Sequence, residues 1–297
     1  QLVTTISQGK KSSSAHAKIL KNGDFTCNLP KQKASLKPYS LTISYNEATL
    51  LTLKNVYVGD VFIAAGQSNM EFPVARDPNV KWKTGILNET EEMKDADYPS
   101  IRLFHVEHQL APEGEKEDCI GRWLVCTPEN VKEFSAVGFI FGRKLYKELQ
   151  MPVGLIQSTW GGTHAESWTE RRVMKDNPLY ADVMEEFAPQ NVKREKDKCK
   201  VPATLWNGMI APIKGYTIKG NIWYQGESNS ADPALYKKLF PAMVAQWREF
   251  FHNPAMPVYY VQITPWQAEG KDRLDRAWFR QCQLELMQEV PNVGMVT

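Results

Sequence analysis

The sequence is poor in several features, and each shortage narrows what the chain can be. Its 297 residues hold five cysteines (Cys27, Cys119, Cys126, Cys199 and Cys282), an odd number with no Cys-x-x-Cys pair. That pattern argues against a zinc site and a disulfide scaffold and leaves buried or idle thiols. No run approaches the ~18 to 20 uninterrupted apolar residues of a membrane helix, so no membrane span is expected. Neither sign of charge is in excess: 36 Lys and Arg face 34 Asp and Glu, a formal net of +2. Such a balance offers no broad basic field for phosphate backbones, and no nucleic-acid partner is expected. The start, Gln1-Leu2-Val3-Thr4-Thr5-Ile6, lacks an initiator Met and the basic, apolar and small-residue segments of a secretory signal, and reads as processed or trimmed. Extracellular, periplasmic and cytoplasmic locations are all compatible with it.

What is present is globular: 42% hydrophobic and 24% charged residues, in a length that fits two ordinary domains or one large one. Residues 1 to 55 have a fine β grain. Lys21-Asn22-Gly23-Asp24 carries the Asn-Gly signal of a tight turn, and Phe25 to Leu29, Leu41 to Tyr45 and Leu50 to Val56 read as short strands of a small, partial antiparallel module. From residue 56 the grain coarsens. Val58 to Ala65, Ile101 to Val106, Val153 to Gln157, Ile218 to Tyr224 and Val258 to Ile263 are apolar runs suited to strands buried on both faces, and Asn292 to Thr297 looks like one more. Between them lie helical periodicities over Gly138 to Leu149, over Leu235 to Phe250 behind an Asp232 cap and Pro233, and over Leu274 to Glu289. Alternating strands and helices predict an α/β domain with a doubly wound parallel sheet over residues 56 to 297. The charged run from Lys193 to Lys200 reads as a solvated loop insertion, since acids interrupt its bases and no aromatic interleaves them.

In open parallel sheets ligands bind beyond the carboxyl ends of the strands, so the chemistry is sought in the residues just past each strand. Three strand ends stand out: Gly66-Gln67-Ser68-Asn69-Met70, Trp160-Gly161-Gly162-Thr163 and Gln225-Gly226-Glu227-Ser228-Asn229. Ser68 is the candidate nucleophile, although Gly-x-Ser-x-Met is not the Gly-x-Ser-x-Gly elbow of the α/β-hydrolases. The competing role for Ser68 or Asn69 is a helix N-cap. Gly161-Gly162 is either a plain turn or an unshielded N–H aimed at a developing oxyanion. Gln225 is either a third oxyanion donor or a buried, satisfied amide.

These strings, together with Gly59-Asp60-Val61-Phe62, the run Gly154 to Thr163 with Glu166 and Trp168 behind it, and Leu205-Trp206-Asn207-Gly208-Met209-Ile210 with Pro212, resemble the sialate O-acetylesterase family of the SGNH hydrolases. The resemblance spans about residues 40 to 297. It implies a flavodoxin-like three-layer domain and a serine esterase that removes O-acetyl groups from sialic acid or related acetylated sugars, with no cofactor and no metal. It also implies Ser68 as nucleophile and the Ser68 and Gly162 backbones with the Gln225 amide as the oxyanion site, Gln225-Gly226-Glu227 standing where many SGNH enzymes have an Asn-containing block. Gln67, Asn69 and Glu227 are supporting candidates. A sialate carboxylate would call for a nearby cation, for which Arg76 and Arg276 are available.

A serine hydroxyl needs a base. His16 and His252 read as surface residues, and His105 and His108 as a polar strand end rather than a metal pair. His164 is the internal candidate, two residues beyond Gly162. The family resemblance places an Asp and a His instead in an Asp-x-x-His block after the last strand, and residues 1–297 contain none. The expectation is a base beyond Thr297 and weak activity without it. Two alternatives remain open: deacetylation of a polysaccharide such as xylan, and a carbohydrate-binding protein in which Trp160, Trp168, Trp223 or Trp266 stacks sugars instead of packing the core.

Overall fold

The computed structural model describes residues 1–265 and 274–297. Its backbone divides into two compact units, Gln1–Asp60 with Lys144–Val153, and Val61–Arg143 with Gly154–Thr297. The first unit carries a four-stranded antiparallel sheet in the order β2-β1-β5-β6 and a separate pair, β3 and β4. The strands are β1 (Leu2–Gln8), β2 (Lys11–His16), β3 (Lys18–Ile19), β4 (Phe25–Thr26), β5 (Tyr39–Tyr45) and β6 (Ala48–Val56). The Asn22-Gly23 turn closes the β3–β4 hairpin, with Ile19 opposite Phe25. Along β1 the side chains of Leu2, Thr4 and Ile6 are buried and those between them are not, which is the period of two that a one-sided strand requires. Both β1 and β2 escape the sequence reading. The Lys-Ser-Ser-Ser-Ala-His run of β2 has almost no apolar content and is a strand because β1 pairs with it from Val3–His16 to Gln8–Lys11.

The second unit is built on a seven-stranded sheet in the order β13-β12-β11-β7-β10-β8-β9. Its strands are β7 (Asp60–Gly66), β8 (Tyr98–His105), β9 (Trp123–Cys126), β10 (Val153–Thr159), β11 (Gly220–Tyr224), β12 (Val258–Val261) and β13 (Val293–Val296). The pairs β7–β11, β11–β12 and β12–β13 are parallel, and the edge strand β9 runs antiparallel to β8. All six anticipated strands are present with boundaries moved by a few residues. The seventh, β9, is four residues long, too short for its pattern to stand out from a loop. The helices Ala136–Leu149, Pro233–Phe250 and Asp275–Glu289 occupy the expected places. Asp232 caps the second of them by accepting from the Leu235 N–H at 2.9 Å, satisfying one of the amides that a helix start leaves without an intrahelical partner.

The core of this unit is aromatic. Trp168, Trp206, Trp223 and Trp247 are all fully buried and meet edge-on or tilted, with ring centroids 6.0 to 6.3 Å apart. Burial of side chains of this size is worth roughly 2 to 3 kcal/mol each relative to exposure. Each indole N–H has an acceptor: the Thr163 hydroxyl for Trp168, Glu115 for Trp206, the Tyr236 hydroxyl for Trp223 and the Trp168 carbonyl for Trp247. Trp168 and Trp223 are thus core residues and not sugar platforms; Trp266 lies outside the described residues. The Trp206–Ile210 segment is a buried π-helical turn, so the Trp-Asn-Gly-Met-Ile string supports the scaffold. The charged run from Lys193 is more ordered than a solvated loop. Glu195–Lys200 forms a 3-10 helix with Cys199 buried in the core, and Arg194 and Lys200 both pair with Asp197.

Candidate active site

Strand β7 ends at Gly66, whose φ of +141° turns the chain sharply. The close fit there admits no side chain: a Cβ on Gly66 would lie 2.1 Å from the Tyr224 carbonyl oxygen on the neighbouring β11. Gln67 comes next, its N–H donating to that same carbonyl at 3.0 Å, and a single helical turn, Ser68–Glu71, begins. The N-cap position belongs to Gln67, whose side-chain oxygen accepts from the N–H groups of Gly226 and Ser228, both at 3.3 Å. Ser68 is therefore not the cap. Its hydroxyl makes no hydrogen bond with any described residue, and it opens into a cavity of about 630 Å³ lined by Ser68, Asn69, Glu71, Phe72, Trp82, His108, Trp160, Gly161 and Gly162.

The loop after β10 forms the facing wall. Trp160 N–H donates to the Gly66 carbonyl at 3.1 Å, and the Thr163 hydroxyl donates to the Trp160 carbonyl at 2.8 Å. Gly162 has a φ of +73° with open space where a Cβ would stand. Neither its N–H nor that of Ser68 has an acceptor among the described residues. Two amides at a serine cavity without internal partners match the requirement for stabilising a tetrahedral oxyanion.

The sequence pattern of the carbohydrate esterases described as sialic acid-specific acetylesterase matches residues 58–297. The chain belongs to that family. It is 36% identical over 240 residues to the sialate O-acetylesterase of Rattus norvegicus, covering 70% of this chain and 42% of that one. It is 38% identical over 216 residues to the human sialate O-acetylesterase, covering 68% and 38%. The crystal structure of a carbohydrate acetylesterase from Xanthomonas citri superimposes with a TM-score of 0.79 at 28% identity, covering 99% of this chain and 61% of the other. The chain spans half or less of the length of the curated relatives it matches.

Of the residues expected at the site of this acetylesterase-family chain, Ser68, Asn69 and Gly162 share the cavity, and Gln225 and His164 do not line it. Gln225 is fully buried. Its amide nitrogen donates to the Thr163 carbonyl at 3.0 Å and to Asn229 Oδ1 at 2.7 Å, which engages both hydrogens in holding the loop after β10. His164 packs edge-on against Phe187, and burial lowers its pKa to about 4, helped by Lys200 nearby. Gln67 and Glu227 are supports. Glu227 accepts from the Asn69 amide at 2.5 Å, its other oxygen is buried without a partner among the described residues, and burial raises its pKa against the opposing influence of Asn69 and Arg276. Glu166 is buried behind the loop, accepts from Asn229 Nδ2 at 2.9 Å, and is likewise raised by burial.

Sequence reasoning missed His108, Glu71 and Trp82. His108 is more than a polar strand end: its ring stacks on Trp160 with centroids 4.0 Å apart, and its Nε2–H donates to the Thr159 carbonyl at 2.9 Å. Burial lowers its pKa, opposed by Glu71. The signal was present, since His108 comes after a strand at the same rim as Ser68. Trp82 carries no local signal. Among the described residues no group of three or more His, Cys, Asp or Glu side chains is placed to hold a metal ion.

Proposed function

We propose that the chain carries the acyl-transfer half-site of a serine esterase acting on O-acetylated sugars. The observation that carries this is that Ser68, whose hydroxyl has no partner among the described residues, and Gly162, with open space where a Cβ would stand, line one cavity. Ser68 Oγ attacks the acetyl carbonyl, the oxyanion rests on the Ser68 and Gly162 N–H groups, the sugar alcohol leaves, and water hydrolyses the acetyl-serine. The reaction requires no cofactor. The proton acceptor in this reading is a histidine of an Asp-x-x-His block of the kind the family resemblance implies. The mostly parallel sheet is read as the flavodoxin-like, three-layer SGNH arrangement, with residues 1 to 55 as an accessory β-module.

Acetylated sialic acid is the favoured substrate, supported by the named activity of the rat and human relatives and by Arg276, whose positive charge acts on Glu227, the acceptor of the Asn69 amide. A neutral acetylated sugar such as xylan is the second reading. It is favoured by the charge of the cavity wall itself, where the carboxylate Glu71 is met by Lys83 at 3.4 Å, leaving little positive charge for an acidic sugar. The test is p-nitrophenyl acetate turnover by the protein made from its complete gene, then parallel assays on acetylated sialic acid and acetylated xylan. Ser68→Ala is expected to lower turnover at least a thousandfold; undiminished turnover in that variant would refute the nucleophile. Sugar binding without turnover in the wild type would favour the carbohydrate-binding alternative.

A further inference from the structure

Glu71 is a buried carboxylate that the proposed chemistry does not use. Its side chain is 7% exposed, and a buried polar group is costly unless hydrogen-bond partners meet it. One partner decides its role: Glu71 Oε2 accepts from the Gly161 N–H at 2.7 Å, the short length of a charge-assisted bond. Its other oxygen faces Lys83 Nζ at 3.4 Å and His108 Nε2 at 3.7 Å, and Lys83 offsets the negative charge that would otherwise oppose an oxyanion close by. Gly161 itself abuts the nucleophile, since a Cβ there would sit 3.4 Å from both Ser68 Cβ and Glu71 Oε2.

We propose that Glu71 is a positioning residue that sets the Gly162 N–H against Ser68 by holding Gly161. The inference rests on the reading of Gly162 as an oxyanion donor. Ser68 and Glu71 stand three residues apart on one helical turn, so they lie on neighbouring sides of the same rigid element. That turn delivers the nucleophile and, through Glu71, grips the loop that carries the oxyanion donor. The distance between attacking oxygen and donor is thus set by one four-residue element and not by two independent loops. Misplacement by about 1 Å at such a site costs on the order of a hundredfold in rate.

The experiment compares wild type with Glu71→Ala, Glu71→Met and Glu71→Gln. Gln keeps a carbonyl oxygen for the Gly161 N–H, whereas Ala and Met do not; Met preserves length if Ala fails to fold. In the protein made from its complete gene, Glu71→Ala or Glu71→Met is expected to lower kcat for p-nitrophenyl acetate about a hundredfold with KM changed less than threefold. Glu71→Gln is expected to recover at least tenfold of that loss. Residue-resolved amide exchange provides a second readout independent of turnover: the Gly161 N–H exchanges at least tenfold faster in the Ala or Met variant and near the wild-type rate in the Gln variant. Unchanged Gly161 exchange in the Ala and Met variants, or a Gln variant as impaired as they are, overturns the role of Glu71. A wild type without esterase turnover overturns the functional reading instead, and the exchange comparison still decides the hydrogen bond.

Discussion

Two glycines at the site have positive φ and opposite surroundings, which makes their replacement by alanine a sharp test of the geometry. Gly66 lies at φ +141° and Gly162 at φ +73°. Each alanine pays a backbone penalty of about 1 to 2 kcal/mol for entering a region that disfavours L side chains. The steric terms differ. At Gly66 the new Cβ would stand 2.1 Å from the Tyr224 carbonyl oxygen and 2.7 Å from its carbon, so β7 and β11 must separate by about 1 Å to restore van der Waals contact. That movement strains the Gln67 N–H to Tyr224 bond and adds an overpacking cost of about 1 to 3 kcal/mol. At Gly162 nothing lies within 4 Å of the Cβ. Gly66→Ala is therefore expected to destabilise by about 2 to 5 kcal/mol and Gly162→Ala by about 1 to 2 kcal/mol. At roughly 2 to 3 °C per kcal/mol for a chain of this size, the Tm falls by about 4 to 15 °C in the first variant and about 2 to 6 °C in the second. Circular dichroism melts of both beside wild type measure this. Equal shifts in the two variants, or a Gly66→Ala shift under about 2 °C, would refute the close approach of β7 to Tyr224.

Three more outcomes rest on particular contacts. Glu166 has its pKa raised by burial, so the folded state holds its proton more tightly than the unfolded state and the wild type loses stability as pH rises toward that raised value. Glu166→Gln removes this loss, and the Tm of the variant relative to wild type is expected to improve as pH rises from the ordinary carboxylate range toward the raised value and then to level off; a pH-independent difference would contradict the burial cost. Asp232→Ala deletes the cap on the Leu235 N–H and is expected to cost about 1 kcal/mol, while Asp232→Asn stays near wild type in the same melts. Trp82 lines the Ser68 cavity and is 44% exposed. Trp82→Ala is expected to raise KM for an acetylated sugar about 5- to 10-fold and to leave that for p-nitrophenyl acetate within twofold, as loss of a stacking surface would; parallel shifts for both esters would assign Trp82 to the fold instead.

The chemistry visible along the chain was local. Apolar runs such as Val258 to Ile263 announced strands, Asp232-Pro233 announced a helix start, and Gly66-Gln67-Ser68-Asn69 announced a sharp turn carrying a polar group, because each depends on neighbours within a few residues. β2 could not be read this way, since its Lys-Ser-Ser-Ser-Ala-His composition is extended only through pairing with β1.

The site divides along the same line. Ser68 and Gly162 were nameable from residue type, strand position and family resemblance, as was the expectation that their loops share a rim. Which amides remain available was not. Gln225 has the right chemistry to bind an oxyanion, yet its hydrogens go to Thr163 and Asn229, and no pattern in the Gln-Gly-Glu string records that. Glu71 and Gly161 are 90 residues apart in the chain and 2.7 Å apart in space, and His108 reaches Trp160 by the same kind of crossing between strand ends. Sequence by itself determined the apolar strands of the parallel sheet, the sharp turns and the reactive groups, because backbone preference and side-chain chemistry are properties of short segments. Only the tertiary structure decided which donor meets which acceptor, because a hydrogen bond goes to whichever partner the folded sheet brings within about 3 Å.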